Sequence, residues 1–506
     1  MTVNLILVAS AVLVICAFVY AVIISPYLKL RYYRKQGIKT EFFPIVGNMM
    51  RDHRNTLKKG DFFHAWKYTG KEPAPKLIAK NVGTHAELIL MDPNLIKEFT
   101  LNHDRYMKHP ELFGLFIDLL GNGLIFAEGS HWKKHRKIIS LSFHFELLTE
   151  MIPSIVSITE EFLDRIEKKD TSKVAILDEF QAITGEVIGR IFFGKKFADY
   201  KFRGHSITSF LGDLIARVSN EFFTPLYLLF GKKLVLSGLL PRHRKLLKDL
   251  VEFRNFCIEL IRDRMNQLRA DPASNQKKSM IELLMANSTS AEGTLTEDEV
   301  INEFMTFFLA GMDTTSHLVA IATYYALKEP EQKERLMNEI NKFFEDPSKI
   351  NIETLNKMEF TTAFLKETLR IASPAMVVFP RKAIVDHKLG EYHIKKDTLL
   401  VSSFVTNNFN PAYHDDPEKF DPDRWLTPSK TQKSIASNAF VFTPFSAGGR
   451  NCIGQHLAMN EARILLGLFL KKFTYKLSDP NFKLKLTHRF MYEPLEEIKY
   501  TLSRRE

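Results

Sequence analysis

A glycine-rich loop with one cysteine, Phe445-Ser-Ala-Gly-Gly-Arg-Asn-Cys-Ile-Gly454, runs directly into a long apolar-patterned stretch, Gln455 to Phe473. That junction restricts the local fold. It puts Cys452 at the N-terminus of a helix, where the partial positive charge of unpaired amides favours a thiolate over a thiol. Gly448, Gly449 and Gly454 permit a tight turn that brings backbone N–H groups close to the sulfur, and such donors tune a sulfur-ligated metal. Ala458 and Ala462 leave a shallow helical face on which a flat cofactor fits, and Arg450 is placed to meet a carboxylate. The competing reading is a free cysteine capping an ordinary helix.

A second constraint lies upstream. Thr296-Glu-Asp-Glu299 reads as a capping box that opens a helix running to about Lys328, and Pro330 starts the next. Inside it stands Ala310-Gly-Met-Asp-Thr-Thr315. Glycine in a helix interior costs about 1 kcal/mol relative to alanine, so something should offset it, and close approach of a ligand is one candidate. Thr314 can bond a carbonyl one turn back. Asp313 puts an acid in an otherwise apolar helix, which argues against a second membrane span. His317 can reach Asp313 but reads as structural.

Helical patterns also cover 331–344 and 358–371, within a helix-rich region from Asp92 to Ile371. Strand-like segments are fewer: Ala86–Met91, Tyr392–Ile394, Leu399–Phe404 and the 485–502 region. Polar loops are expected near 270–278 and 287–294. The expectation is a mainly α fold with small β-sheets.

The chain has 506 residues, a length that suggests about three domains, yet no linker divides its interior. Cys16, Cys257 and Cys452 form no disulfide framework, which fits a reducing compartment. The 41 phenylalanines point to a large apolar core and an apolar pocket. The net charge of +11 comes with no basic tract interleaved with aromatics, so nucleic acid is excluded in favour of an anionic membrane surface or an acidic partner.

Val3 to Ile24 is uncharged and about long enough to span a bilayer. Lys29, Arg31, Arg34 and Lys35 follow it and nothing basic precedes it, so the positive-inside rule puts the N-terminus in the lumen and the body in the cytoplasm. A cleaved signal peptide is the alternative; no Arg-rich mitochondrial presequence is present. The expected division is a transmembrane signal anchor over 1–28, a basic linker over 29–50 and a catalytic domain over 51–506. A second apolar stretch, Phe222 to Leu240, is interrupted by Lys232 and Lys233 and should not span.

The cysteine loop resembles the haem-binding loop of the cytochrome P-450 family, Phe-x-x-Gly-x-Arg-x-Cys-x-Gly, at every fixed position. Ala310 to Thr315 resembles that family's oxygen-activating groove, and the resemblance covers about residues 40 to 500. It implies the cytochrome P-450 fold after a single N-terminal transmembrane helix. It implies haem b with Cys452 as the axial thiolate, and Asp313 and Thr314 as proton donors in dioxygen activation. Contacts to the cofactor would come from Trp132, Arg136, Ala310, Gly311, Arg381, Phe445, Arg450 and Gly454. Glu367, Arg370 and Arg424 would form a buried charge network bracing the loop.

The resemblance further implies a monooxygenase inserting one oxygen atom from O2 into a lipophilic substrate such as a fatty acid, sterol or xenobiotic. Electrons would come from NADPH through a separate reductase, with cytochrome b5 as a second candidate donor. The microsomal type implies a single-pass endoplasmic reticulum protein with a cytoplasmic catalytic domain. The proline-rich hinge common after the anchor is reduced here to Pro26 and Pro44. The stretch 222–240 corresponds to a region that dips into the bilayer; plain core packing is the alternative. Lys133, Lys134 and Lys137 read as a solvated face or a reductase contact. Substrate contacts would fall on Phe113, Leu115, Phe116, Ile117 and Leu119, and on Ala375 to Phe379. His131 and His135 have the spacing of a helical zinc pair, but lysines rather than a glutamate stand between them, so zinc is rejected. The rivals are a peroxide isomerase or dehydratase on the same fold and a non-catalytic haem-binding membrane protein.

Overall fold

The computed structural model of the chain describes residues 2–45, 47–67, 74–108, 113–222, 224–270, 279–287, 295–377, 380–426 and 428–505. The N-terminal apolar run forms α1 (Thr2–Val19), passes through a π-helical turn at Tyr20–Ile24 and ends in α2 (Ser25–Arg34). The body is built on α3 (Gly114–Leu120), α4 (Gly129–Ser140), α5 (Phe145–Glu167), α6 (Ile176–Ile188), α7 (Ile207–Phe222) and α8 (Pro241–Ala270). It is completed by α9 (Glu297–Lys328), α10 (Pro330–Phe343), α11 (Glu359–Ala372) and α12 (Gln455–Lys472).

Helix α9 is the axis of the body, packed by α6, α11 and α12. Its expected capping box is formed: Glu299 N–H donates to Thr296 Oγ1 at 3.2 Å and Thr296 N–H to Glu299 Oε2 at 2.8 Å. Among the described residues, two helical stretches are long and apolar enough to cross a membrane. The apolar window of Ile6–Arg34 is 6% buried and that of Glu297–Lys328 is 83% buried. The second is therefore a core helix, as Asp313 suggested, and the first is the candidate anchor.

The six-stranded sheet contains β1 (Lys39–Glu41), β2 (Leu77–Val82), β3 (His85–Leu90), β4 (Tyr106–Lys108), β5 (Arg381–Ala383) and β6 (Leu399–Ser402), in the order β1-β2-β3-β6-β5-β4. Strands β2 and β3 form an antiparallel hairpin, and β6 runs parallel to β3. In this sheet the sequence pointed to β3 and β6 but not to the six-residue β2, nor to β1, β4 and β5, whose three residues are too short to show alternation; the expected Tyr392–Ile394 strand pairs with His387–Leu389. The C-terminal region gives Leu486–His488 paired with Tyr492–Pro494, and Lys499–Arg504 in a second sheet.

Within 29–50, expected as a basic linker, the end of α2 and strand β1 are docked on the body instead. Pro26, Leu30 and Tyr33 recur at helical spacing and bury one face of α2. Tyr33 Oη also bonds Thr398 Oγ1 at 2.6 Å, and β1 joins the sheet. The polar loops at 270–278 and 287–294 lie outside the described residues except for Ala270 and Asn287, which end helices.

Behind the cysteine loop lies the expected ion network. Glu367 receives Arg370 Nη2 at 2.8 Å, Arg424 Nε at 3.0 Å, Trp425 Nε1 at 3.0 Å and the Asp421 N–H at 2.9 Å. Arg370 Nε also donates to Glu367 Oε2 at 3.0 Å, and further Arg370 bonds go to the carbonyls of Asn408, Pro417 and Lys419. Trp425 packs against Phe442 with tilted rings whose centroids are 4.6 Å apart, which carries the network to the start of the loop.

Candidate active site

The loop ahead of α12 turns on Gly448, whose φ of +69° is left-handed, and closes through Cys452 N–H donating to Phe445 O at 2.9 Å. Cys452 Sγ faces a cavity of about 460 Å³. Trp132, Arg136, Ala310, Gly311, Thr314, Arg381, Phe445, Arg450, Cys452 and Gly454 all line this cavity. The structure thus gathers every expected cofactor contact around one space. Ala458 also lines it, whereas Ala462 is buried away from it.

The expected preference for a thiolate is not met by the protein alone. Burial pushes the Cys452 thiol up, and the Gly454 N–H and the Arg136 guanidinium only partly oppose it.

Arg136, one turn beyond Trp132 on α4, donates to Asn451 O at 2.9 Å and to Asn451 Oδ1 at 2.6 Å. The guanidinium of Arg450 lies 3.9 Å from the Trp132 ring centroid and donates to Ala127 O at 2.7 Å and to the Glu128 carboxylate. Arg381 is buried with its Nε unbonded. Lys108, on β4, joins this group and was not anticipated. Burial lowers its ammonium to about pH 7, with Arg450 and Arg381 adding to the effect and Glu128 opposing it. Four cations converge on an apolar cavity with Glu128 as the nearby carboxylate, which describes a receptor for further negative charge.

On the opposite wall, Thr314 Oγ1 donates to Ala310 O at 2.8 Å, the expected back-bond. Gly311 lines the cavity, but packing explains its missing side chain: a Cβ there would lie 2.4 Å from Ile188 Cδ1 of α6. Asp313 does not line the cavity. It is buried toward α6, accepting from Gln181 Nε2 at 2.8 Å, and His317 Nδ1 donates to its backbone carbonyl at 2.6 Å. Of the expected substrate residues, Phe113, Phe116, Ala375 and Val377 line the cavity, and Leu115, Leu119 and Met376 are buried elsewhere. Val378 and Phe379 lie outside the described residues. Lys133 and Lys137 are exposed, whereas Lys134 pairs with Glu299 at 3.0 Å.

A family model described as cytochrome P450 matches residues 39–498. The chain belongs to the cytochrome P450 family. This P450 is 26% identical over 467 residues to cytochrome P450 CYP749A22 of Panax ginseng, covering 88% of this chain and 86% of that one. It is 27% identical to a cytokinin hydroxylase of Arabidopsis thaliana (78% and 75% covered) and 26% identical to cytochrome P450 4c21 of Blattella germanica (81% and 83% covered). The crystal structure of the cytochrome P450DA heme domain superposes with a TM-score of 0.71 at 20% identity, covering 85% of this chain and 90% of that one. That likeness establishes the fold. Membership makes this P450 a haem-thiolate monooxygenase, an oxidoreductase acting on a small molecule with O2 and a redox partner.

The residues present fit haem. A soft thiol faces the space, small residues flank it, and the surplus of buried cations with an orphaned Arg381 Nε suits carboxylate propionates. One further cavity residue escaped the sequence reading. Glu461 on α12 is fully buried, and burial raises its carboxyl to about 8 against a weaker opposing bond from Thr315. The native state keeps this proton from about pH 4.5 to 8, where the unfolded chain has released it, so its contribution to stability falls as pH rises through that window. Glu461→Gln should flatten this slope and stabilise the protein most near pH 8. Thermal unfolding of both proteins between pH 5 and 8 tests this, and parallel profiles would refute it.

Proposed function

We propose that this P450 is a membrane-anchored monooxygenase of lipophilic substrates, with α1 as anchor, residues 51–506 as the catalytic domain facing the cytoplasm, and the endoplasmic reticulum as its membrane. The carrying observation is the cavity itself: Phe62, Phe63, Phe113, Phe116, Phe192, Phe307, Phe404 and Phe490 wall the space into which Cys452 opens. An apolar cavity with few polar groups selects for apolar ligands. The exposed Leu226, Phe230, Leu236 and Leu239, around the short helices Pro225–Phe230 and Lys232–Leu236, add a second apolar surface suited to the bilayer, while Tyr227 and Val235 hold that segment to the core.

Haem, when bound, supplies the redox centre at which O2 is reduced and one oxygen atom is passed to substrate. Cys452 Sγ would hold its iron as a thiolate, Arg136, Arg381, Arg450 and Lys108 would hold its carboxylates, and Trp132 supports Arg450. Thr314 Oγ1 commits its proton to Ala310 O and so presents lone pairs to the cavity, where it holds a proton-bearing water. Asp313 is held by Gln181 and must swing from it to deliver a proton to Thr314 Oγ1. The aromatic walls exclude bulk water and orient substrate. Electrons come from NADPH through a separate flavoprotein, with cytochrome b5 as an alternative second donor.

The test is optical titration of the ferric, haem-loaded protein with fatty acids, sterols and drug-like lipophiles, followed by turnover with reductase and NADPH. A saturable spin-state shift with one class, and oxygenated product from it, is expected. Shifts produced only by polar ligands would overturn the lipophilic assignment.

A further inference from the structure

Two helices bring a set of metal-ligand atoms together outside the cavity. His131 and His135 are one turn apart on α4, and Glu299 lies in the first turn of α9. Their ligand atoms fall within 4.8 Å of one another. Sequence alone offered the two histidines with lysines between them; the carboxylate arrives from 164 positions beyond His135.

The hydrogen bonds on the far side of each ring fix what the near side can do. His135 is buried, and its Nδ1 donates to Glu303 Oε1 at 2.5 Å, one turn along α9 from Glu299. That leaves its Nε2 without a hydrogen-bond partner, 3.2 Å from Glu299 Oε1. His131 Nε2 donates to Asn122 O at 3.1 Å, leaving Nδ1 facing the same Oε1 at 3.5 Å. In neutral imidazoles both near-side nitrogens carry lone pairs. With neutral rings, two near-side nitrogens would thus present lone pairs to one carboxylate oxygen, a place that either a proton on His135 or a metal ion between the three atoms fills.

We propose that His131 Nδ1, His135 Nε2 and Glu299 Oε1 form a zinc site that clips α4 to α9. Zinc takes imidazole nitrogen and carboxylate oxygen in a four-coordinate shell, and a water completes it here. Glu303 supplies the carboxylate-to-histidine bond that orients metal-ligating imidazoles. The two carboxylates balance a divalent ion. Glu299 Oε2 accepts from Thr296 N–H and Lys134 Nζ, and Oε1 accepts a longer bond from the same Lys134 Nζ at 3.3 Å, so metal binding at Oε1 requires the half-exposed Lys134 to move its ammonium toward water. Without metal, a proton on His135 takes the same place and is released when zinc binds. The site stands next to Arg136 and Trp132 but uses neither.

The experiment is zinc binding to tag-free, haem-loaded full-length protein stripped with a chelator. Calorimetry with Zn²⁺ and metal analysis after dialysis should give one zinc per chain. X-ray absorption at the zinc edge should show two imidazoles among light-atom ligands. Zinc should also raise the melting temperature, because a ligand bound to the native state stabilises it. His131→Ala removes a partly exposed ligand, and its haem spectrum reports that the fold is intact. It should weaken zinc by more than the ~10–100-fold expected for loss of an outer-shell partner. Glu299→Gln retains the capping-box geometry and should weaken zinc comparably. No zinc bound by the stripped protein means that His135 simply bridges two glutamates as an imidazolium. Equal binding by wild type and His131→Ala means an adventitious surface ion. Either result overturns the proposal.

Discussion

Cys452→Ser should abolish oxygenase turnover and eliminate the long-wavelength, thiolate-type Soret band of the reduced, CO-bound protein. Cys452 is the one cysteine of three whose sulfur opens into the cavity: Cys257 is buried and Cys16 lies on the exposed N-terminal helix. A serine hydroxyl keeps the size and the backbone bond to Phe445 O but ionises far less readily than a thiol, so haem iron would lose its anionic soft ligand. The loss should be chemical, not structural. Melting of the apoprotein should stay within about 1 kcal/mol of wild type, because the side chain packs against little on its cavity side and is swapped for a near isostere. Retention of the thiolate-type band by Cys452→Ser would remove Cys452 as ligand.

The Cys452 loop and the Asp313-Thr314 helix were legible because their information is local. A ten-residue loop with fixed glycines and a capping box three residues wide carry their geometry in their own spacing. What stayed hidden is long-range. Lys108 belongs to the cation cluster, but it is a lone lysine on a three-residue strand, and only the pairing of β4 with β5 sets it beside Arg381. Glu461 reads as an ordinary polar position on α12 until Thr315 of α9 is packed against it. Gly311 was correctly singled out, but the object it accommodates is Ile188 of a separate helix. Asp313 was expected to face the reacting space, yet Gln181, 132 positions away, draws its carboxylate to the other side of α9. The linker expectation over 29–50 failed for a related reason. Charge between apolar segments looked like a solvated tether, while Leu30 and Tyr33 on one helical face were enough to dock it. In each case the residue type was visible and its neighbour was not.

Glu367→Ala should be the most destabilising single change outside the cavity. Glu367, Arg370 and Arg424 are almost fully buried, and the one carboxylate is bonded by both guanidiniums, an indole and a backbone amide. Alanine leaves two buried cations facing each other without their anion. Removing one member of a buried ion pair costs about 3–5 kcal/mol, a large fraction of the ~5–15 kcal/mol by which a domain is stable. Glu367→Gln keeps the volume and one acceptor oxygen but not the charge, so it should be damaging too, though less so. Arg165→Ala, which breaks the i,i+4 pair of an exposed arginine with Glu161 while leaving Glu161 on Arg190, is the control: it should cost under about 1 kcal/mol. Because Trp425 links Glu367 to Phe442 ahead of the loop, the damage should reach haem retention as well as melting. Recovered Glu367→Ala protein should carry substoichiometric haem and a fraction of reduced, CO-bound enzyme in which the thiolate bond is lost. Chemical denaturation and the haem-to-protein ratio of the three variants, measured side by side, decide the matter. Wild-type melting and full haem loading in Glu367→Ala would show that the network neither stabilises the body nor braces the cysteine loop.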